Sequence, residues 1–467
     1  MSGSNGHGPS GSILIVGGGI AGITAALNAA DYGHHVLLVD DSPSIGGTMA
    51  RLDKTFPTND CSICIEAPKM YEVSSHPNIE IITNTEVRKV EQLEGGGFQI
   101  RLLKKAKFVD EEKCTGCGKC VEACPVAVPD EIDGKIGGMR KLMSIPFPQA
   151  VPNANYVALP CRTGKMREQG ACIGGCVVDC SQCRECPIAF CVKACHAEGK
   201  DAVELWQRDE NLDVQVESVI IATGVATAEP PDGLYGYNVY PNVITYMHFE
   251  RLMNSGGPTD GEIIRPSDQH HAKRIAWIQC AGRGDKGVPY CSKVCCMVAA
   301  KQTIITKEHD ASVETTVFYN NMTSYGKGFE EFYQKAKAHG VRYIVGRPFD
   351  VSEDPETHDL TLRYEDELTG EIHTLEVDLL VLSSGLVPND RNKRVAKVFK
   401  IDMDEHGFFA QPDSLRRPLE TATPGVFLAG GATGPIDISE SVVQATAASM
   451  KAAQSARISS AARKVPA

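Results

Sequence analysis

The sequence predicts an α/β protein built from two βαβ-type units, with a cysteine-rich module set into the first of them. Three observations carry that reading. A short apolar run near the N-terminus, Ser12–Val16, stops at a glycine-rich turn, and a second run of the same kind starts at Arg274. Between them, from Cys114 to Cys195, cysteines crowd into a stretch of quite different composition. At 467 residues the chain is too long for one ordinary core, so several domains are expected.

Bulk properties narrow the class. Hydrophobic residues make up 42% and charged residues 23%, the balance of an ordinary globular protein. A formal charge of −12 with no long basic run argues against a nucleic-acid binder. No apolar stretch reaches the roughly 18 residues that a membrane-spanning helix requires. Met1–Ser12 is Gly/Ser-rich without a basic start or apolar centre, so residues 1–11 read as a flexible tail and not a signal peptide. The 18 cysteines are clustered, with none after Cys296. That pattern favours metal binding in a reducing cytoplasm over a secreted disulfide scaffold.

The elements follow in order. After the first strand a helical pattern runs from Ile20 to Tyr32, and a second apolar strand, His35–Val39, completes the βαβ opening. Ile79–Thr83 and Phe98–Leu103 suggest a small antiparallel excursion, and the cysteine-rich insert follows at 109–206. Val216–Thr223 resumes the first domain, which is expected to hold 12–108, return over 207–270 and finish over 386–467. The second unit, 271–385, has strands expected at Arg274–Ile278, Thr315–Tyr319, Arg342–Val345 and Leu375–Leu382. Val426–Ala429 and a helix from about Ser439 to Ile458 close the chain.

Gly17-Gly-Gly19-Ile20-Ala21-Gly22 follows a strand and opens a helix, as a dinucleotide fingerprint requires. Gly17 permits the tight turn, Gly19 lets backbone approach a pyrophosphate, and Gly22 allows close helix–strand contact. The helix start, with Ile20 and Ala21, offers unsatisfied N–H groups to the phosphates. Asp40, 23 positions after Gly17, ends the second strand where it would accept from a ribose hydroxyl. Three further segments resemble the two-dinucleotide-binding-domain flavoproteins of the thioredoxin-reductase type: Ser44-Ile-Gly46-Gly47, Ile220-Ile-Ala-Thr223-Gly224 and Gly425-Val-Phe-Leu-Ala-Gly430-Gly431. That resemblance implies FAD. Gly431 stands where such proteins carry an acid, and Asp437 is the nearest substitute. The second unit has no GxGxxG: Cys280 and Arg283 occupy the place of the phosphate-cradling glycines. Direct use of NAD(P)H is therefore not expected.

Cys114-x2-Cys117-x2-Cys120-x3-Cys124-Pro125 matches the ferredoxin run for a [4Fe–4S] cluster, in which closely spaced thiolates wrap a cubane and the fourth leads away. Zinc sites instead pair two C-x2-C units across a longer spacer. A second ferredoxin-like set is Cys183, Cys186, Cys191 and Cys195, which leaves Cys161, Cys172, Cys176 and Cys180 as surplus and ends in a short strand, Ala202–Leu205. The third group, Cys280, Cys291, Cys295 and Cys296, is not a ferredoxin pattern; buried or redox-active thiols are the alternative to a cluster. Cys61-x2-Cys64 is a candidate redox-active pair near the flavin, a contributor to a cluster, or two packed thiols.

Several longer motifs resemble HdrA, the flavin-bearing component of the heterodisulfide reductases. They are Thr55-Phe-Pro-Thr-Asn-Asp-Cys61-Ser-Ile-Cys64 with Pro68-Lys-Met70, Ile145–Pro152, Pro289-Tyr-Cys291-Ser-Lys-Val-Cys295-Cys296 and Gly434–Asp437. The likeness runs from Ser12 to about Ala453. It implies an oxidoreductase subunit with FAD and two or three [4Fe–4S] clusters, or more, and assigns Cys280, Cys291, Cys295 and Cys296 to an unusual cluster near the flavin. It further implies a cytoplasmic complex with other subunits, with ferredoxin or another iron–sulfur carrier as electron partner, and allows a homodimer within that complex. Flavin-based electron bifurcation is part of what the resemblance suggests. A self-contained disulfide or polysulfide reductase using Cys61 and Cys64 is the alternative. Members of that family carry further ferredoxin-like segments at either end, and their second cysteine motif is shorter than the Cys161–Cys195 stretch seen here.

Overall fold

The computed structural model describes residues 11–125, 127–157, 189–204, 207–284, 287–367 and 369–463. Two parallel five-stranded sheets organise the chain. In the first, the strand order is Val426–Leu428, Ser218–Ile221, Ile13–Val16, Val36–Val39, Ile79–Ile82, with every pairing parallel. The strands are apolar without alternation because both faces are covered. On one face the helix Ile20–Asp31 packs against the long helix Ile438–Arg463. Alanines make that close approach possible: Ala25, Ala26 and Ala29 meet Ala445, Ala448, Ala452 and Ala456, all at 0% exposure. A three-stranded antiparallel sheet, Thr85–Gln92, Phe98–Lys104 and Glu210–Val216, covers the other face through Phe98, Ile100 and Leu102.

Two expectations change here. Ile79–Ile82 joins the parallel sheet instead of pairing with Phe98–Lys104, because its register runs Val36↔Ile79 to Val39↔Ile82 alongside the second strand. The strand Val243–Thr245, expected in the returning part of the first domain, pairs with Leu380, Val381 and Leu382 of the second sheet. The chain therefore leaves the first domain well before composition suggests, through the two-stranded crossing Val225–Thr227 with Leu386–Pro388.

The second sheet runs Val243–Thr245, Leu379–Leu382, Arg274–Ile278, Glu314–Tyr319, Arg342–Val345. The helices Tyr246–Met253, Cys295–His309 and Phe329–Ala338 pack on one face around Phe249 and Trp277, whose rings meet edge to face at 5.2 Å. The antiparallel strands Pro348–Glu353, Leu360–Glu365 and Ile372–Val377 cover the other face. The cysteine-rich module is a small cluster of Val109, Cys120, Cys124, Val128, Met143, Cys195, Ala202 and Val203. Its expected strand Ala202–Leu205 reduces, within the described residues, to the single bridge Val109↔Val203.

Candidate cofactor sites

The glycine turn is dictated by contact distances. A Cβ on Gly17, whose φ is +110°, would lie 2.3 Å from the Ala222 carbonyl oxygen, and one on Gly22 would lie 1.8 Å from the Gly17 carbonyl. No L side chain fits either place. Gly47, at φ +61°, approaches Gly19 so closely that a Cβ would sit 2.9 Å from its Cα, while the Gly46 N–H donates to the Gly18 carbonyl at 2.8 Å. Two separate glycine turns are thus pressed together, leaving the start of the helix Ile20–Asp31 open. Above them is a cavity of about 420 Å³ lined by Gly17, Gly19, Asp40, Gly47, Thr223 and Gly224. Its size and its two bare backbone walls suit a dinucleotide.

Asp40 is tied to the turn itself: its carboxylate accepts from the Gly18 N–H at 2.6 Å and from the Ser42 N–H at 2.7 Å. Thr223 donates to Asn392 at 2.6 Å. Ile20, Ala21, Gly22, Gly46, Gly430 and Gly431 stand behind the cavity wall. A Cβ on Gly430 would lie 2.6 Å from the Ala21 Cβ, and one on Gly431 would lie 2.8 Å from Val225. Asp437 accepts from the Glu440 N–H at 2.8 Å and caps the last helix; burial pushes its carboxyl above the usual range. Sequence reasoning missed Arg51, Asp41, Arg391 and Arg394, which also line the cavity. Asp41 pairs with Arg391, and burial raises its carboxyl despite that partner. Only the fold joins positions 350 apart in sequence.

The ferredoxin run is shaped by left-handed glycines, Gly116 at φ +68° and Gly118 at φ +76°, which turn a loop that buries Cys120 and Cys124 and leaves Cys117 exposed. Cys120 is buried, and burial, followed by the neighbouring Cys114, Cys195, Cys117 and Cys191, pushes its thiol up to about 12. Cys195 and Cys191, from the second run, lie close to Cys120, and the Cys195 sulfur accepts from the Ala202 N–H at 3.2 Å. Close approach of two runs is what ferredoxin modules show, in which the fourth cysteine serves the other cluster. Cys124 is buried in the same small core. Cys183 and Cys186 lie outside the described residues, as do Cys161, Cys172, Cys176 and Cys180.

The third cysteine group converges. Cys280 follows the strand Arg274–Ile278 at φ +54°, while Cys295 and Cys296 begin the helix Cys295–His309. Together with Cys291 they line one cavity of about 100 Å³. Burial raises the Cys296 thiol to about 11, with Cys280 and Cys291 adding to the rise, and it raises Cys295 further. Burial disfavours the thiolates of Cys295 and Cys296, a cost that a bound cation reverses. Among the described residues no three such groups are already drawn in around a metal position. The donor set, four soft thiols on one cavity, nonetheless fits an iron–sulfur group. The loop is held by the domain crossing: Ser292 accepts from the Leu386 N–H at 2.8 Å, and Tyr290 donates to the Leu386 carbonyl at 3.1 Å.

Tyr246 stands between this group and the flavin cavity. It is 3% exposed; its chain neighbours Thr245 and Met247 line the flavin cavity, its hydroxyl donates to the carbonyl of Gly385, on the wall of the thiol cavity, at 3.4 Å, and burial first and Cys295 second push its phenol up.

Cys61 and Cys64 form a disulfide at the start of the helix Ser62–Ser75, with Cys64 exposed and the Cys61 sulfur accepting from the Cys64 N–H at 3.2 Å. Neither lines the flavin cavity. Two buried ionisable features had no sequence signal. Lys301 donates to Glu250 at 2.6 Å and to the Lys54 carbonyl at 2.8 Å, the two charged side chains being 1% and 0% exposed. Glu66, at 0% exposure, has neither carboxyl oxygen partnered among the described residues, and burial raises it to about 9.

Fold and sites together define a two-dinucleotide-binding-domain flavoprotein with an iron–sulfur insert. Residues 12–60 match the FAD dependent oxidoreductases and residues 107–130 the 4Fe-4S binding domain. Residues 188–454 match the pyridine nucleotide-disulphide oxidoreductases, and the chain belongs to that family. Its relatives include an iron-sulfur subunit of the CoB–CoM heterodisulfide reductase of Methanopyrus kandleri, of the HdrA type, 44% identical over 94% of this chain and 63% of that protein. Another is the HdrA component of the H(2):CoB-CoM heterodisulfide,ferredoxin reductase of Methanothermobacter marburgensis, 42% identical over the same shares. The motif-level resemblance to HdrA is thus matched along nearly the whole chain, which spans about 63% of the length of these relatives. Lactococcus lactis thioredoxin reductase is similar in structure, with a TM-score of 0.49 and 14% identity over 96% of this chain and 99% of that one. Among the described residues no helix is long and apolar enough to cross a membrane.

Proposed function

We propose that the chain is the FAD- and iron–sulfur-bearing electron-transfer subunit of a heterodisulfide-reductase-type complex. The observation that carries this reading is the placement of Tyr246, with its neighbours Thr245 and Met247 on the flavin cavity wall and its hydroxyl on Gly385 of the thiol cavity. When bound, FAD exchanges electrons in pairs or singly, whereas [4Fe–4S] clusters carry one at a time. The protein's part is to hold the sites close and dry. The glycine turns bind the dinucleotide, Asp40 braces the turn, and Cys280, Cys291, Cys295 and Cys296 hold one cluster. Cys114, Cys117 and Cys120 with Cys195 hold a second, and Cys124 with Cys183, Cys186 and Cys191 a third. In the second unit the thiols fill the strand end where a nicotinamide dinucleotide would dock, so electrons arrive from partner proteins. Those partners are further subunits and ferredoxin or a similar carrier, in a reducing cytoplasm, with a homodimer as one arrangement. Splitting of electron pairs between two acceptors is the sharper form of the same reading.

Iron and sulfide per FAD in anaerobically purified protein test it. Three cubanes require about twelve irons, and a count of about four would sink the quartet and the paired-run assignment together.

A second reading has one observation in its favour, the disulfide between Cys61 and a solvent-facing Cys64. It makes the chain a disulfide reductase that exchanges with external thiols. Replacing both cysteines with serine decides: loss of thiol-linked turnover with flavin and iron retained favours this second reading, and unchanged turnover removes it.

A further inference from the structure

The thiol quartet faces a concentration of positive charge. Among the described residues its cavity is lined by Arg283, Lys293 and Arg347, and by no aspartate or glutamate. The three cations are not equivalent. Lys293 is neutralised by Glu440 at 2.6 and 2.8 Å, and Arg283 is exposed to solvent. Arg347 follows the strand Arg342–Val345 and is only partly exposed. Its guanidinium lies near Tyr235, and its Nε–H is buried with no acceptor among the described residues.

A buried cationic donor with no acceptor is costly, and an anion in the same cavity would satisfy it. A cubane held by four thiolates is such an anion, and its negative charge grows on reduction. Hydrogen bonds to the sulfurs and nearby charge are the protein's main levers on a cluster's potential.

We propose that Arg347 is the positioning residue of the Cys280–Cys291–Cys295–Cys296 centre, donating from Nε into its sulfur shell and making the centre easier to reduce. The inference rests on the reading that the quartet holds a cluster, and it adds a direction. This centre is the more oxidising of the clusters beside the flavin, because three cations and, among the described residues, no carboxylate line its cavity.

The test is an EPR-monitored redox titration of the anaerobically purified holoprotein, comparing wild type, Arg347→Gln and Arg347→Lys. The signal lost in Cys291→Ser identifies the quartet's centre, and the remaining clusters are the internal control. Arg347→Gln should shift the quartet's reduction equilibrium at least tenfold toward the oxidised form, about 59 mV for one electron, with Arg347→Lys restoring most of it. The control clusters should not move. An unmoved centre in Arg347→Gln, an equal shift in both variants, or a parallel shift of the control clusters overturns the proposal. If Arg347→Gln assembles no cluster, Arg347→Lys decides alone: a retained centre near the wild-type potential supports the role, and a lost one overturns it. Wild-type protein whose iron count is unchanged by Cys291→Ser overturns the cluster reading itself. An iron loss in Cys291→Ser with an unmoved Arg347→Gln overturns only the role of Arg347.

Discussion

At the residue scale the most constrained atoms are those that a dinucleotide would touch or that hold the turn beneath it. Gly22→Ala places a methyl 1.8 Å from the Gly17 carbonyl, so the gain in helix propensity, about 1 kcal/mol, is overwhelmed by displacement of the turn. We expect FAD affinity to fall at least tenfold, about 1.4 kcal/mol, read as the ratio of flavin to protein absorbance after dialysis. Glu66 sets a pH dependence. Its carboxyl is raised from 4.5 to about 9, so the folded protein holds a proton that the unfolded chain releases in that interval. The folded state is favoured fully below about 4.5 and loses that advantage as pH rises toward about 9. Urea unfolding should therefore show lower stability at about pH 8.5 than at about pH 6, and Glu66→Gln should flatten the difference. Lys301 and Glu250 form a buried pair, so Lys301→Met leaves the Glu250 carboxylate at 0% exposure without its counter-charge, held only, among the described residues, by Gln302 and the Asp53 N–H. Stability should drop by about 3–5 kcal/mol in chemical denaturation, and adding Glu250→Gln should recover much of it.

At the element scale the helix Ile20–Asp31 does two things with one sequence. Its first turn carries Gly22, and its buried face is rich in alanine, so it lies close against Ile438–Arg463. A larger side chain there has nowhere to go. Ala448→Leu should cost about 1–3 kcal/mol and loosen flavin binding through the tilt of the helix, measurable as a lower melting temperature and faster FAD release. The ferredoxin loop is as intolerant for another reason: Gly116 is left-handed, and a Cβ there would meet the Asn153 side chain at 2.4 Å. These elements were legible in the sequence because local rules govern them, apolar strand, glycine turn, cysteine spacing. The strand Ile79–Ile82 was seen but given the wrong partners, since a four-residue apolar run has no local feature to say which strand it lies beside.

At the scale of the whole molecule the cofactor sites meet where the chain crosses between its two sheets. The crossing strands Val225–Thr227 and Leu386–Pro388 touch the flavin cavity on one side and anchor the Tyr290–Ser292 loop on the other. The insert is pinned to the same region by Arg251, which pairs with Asp133 at 2.9 Å, and by Lys135, which donates to Tyr237 at 2.6 Å and Glu229 at 2.9 Å. By itself the sequence determined the two dinucleotide-type units, the fingerprint from Gly17 to Asp40, and the ferredoxin spacing from Cys114 to Cys124. Each is a local pattern, fixed by sterics or ligand geometry over a few residues. Tertiary structure alone decided that Cys195 lies beside the first ferredoxin run, that Tyr246 reaches Gly385, that Lys301 meets Glu250, and that Arg347 lines the cavity of the thiol quartet. Those partners lie from 51 positions apart, Glu250 to Lys301, up to 139 apart, Tyr246 to Gly385. What joins them is packing of sheets and helices, which no spacing rule encodes.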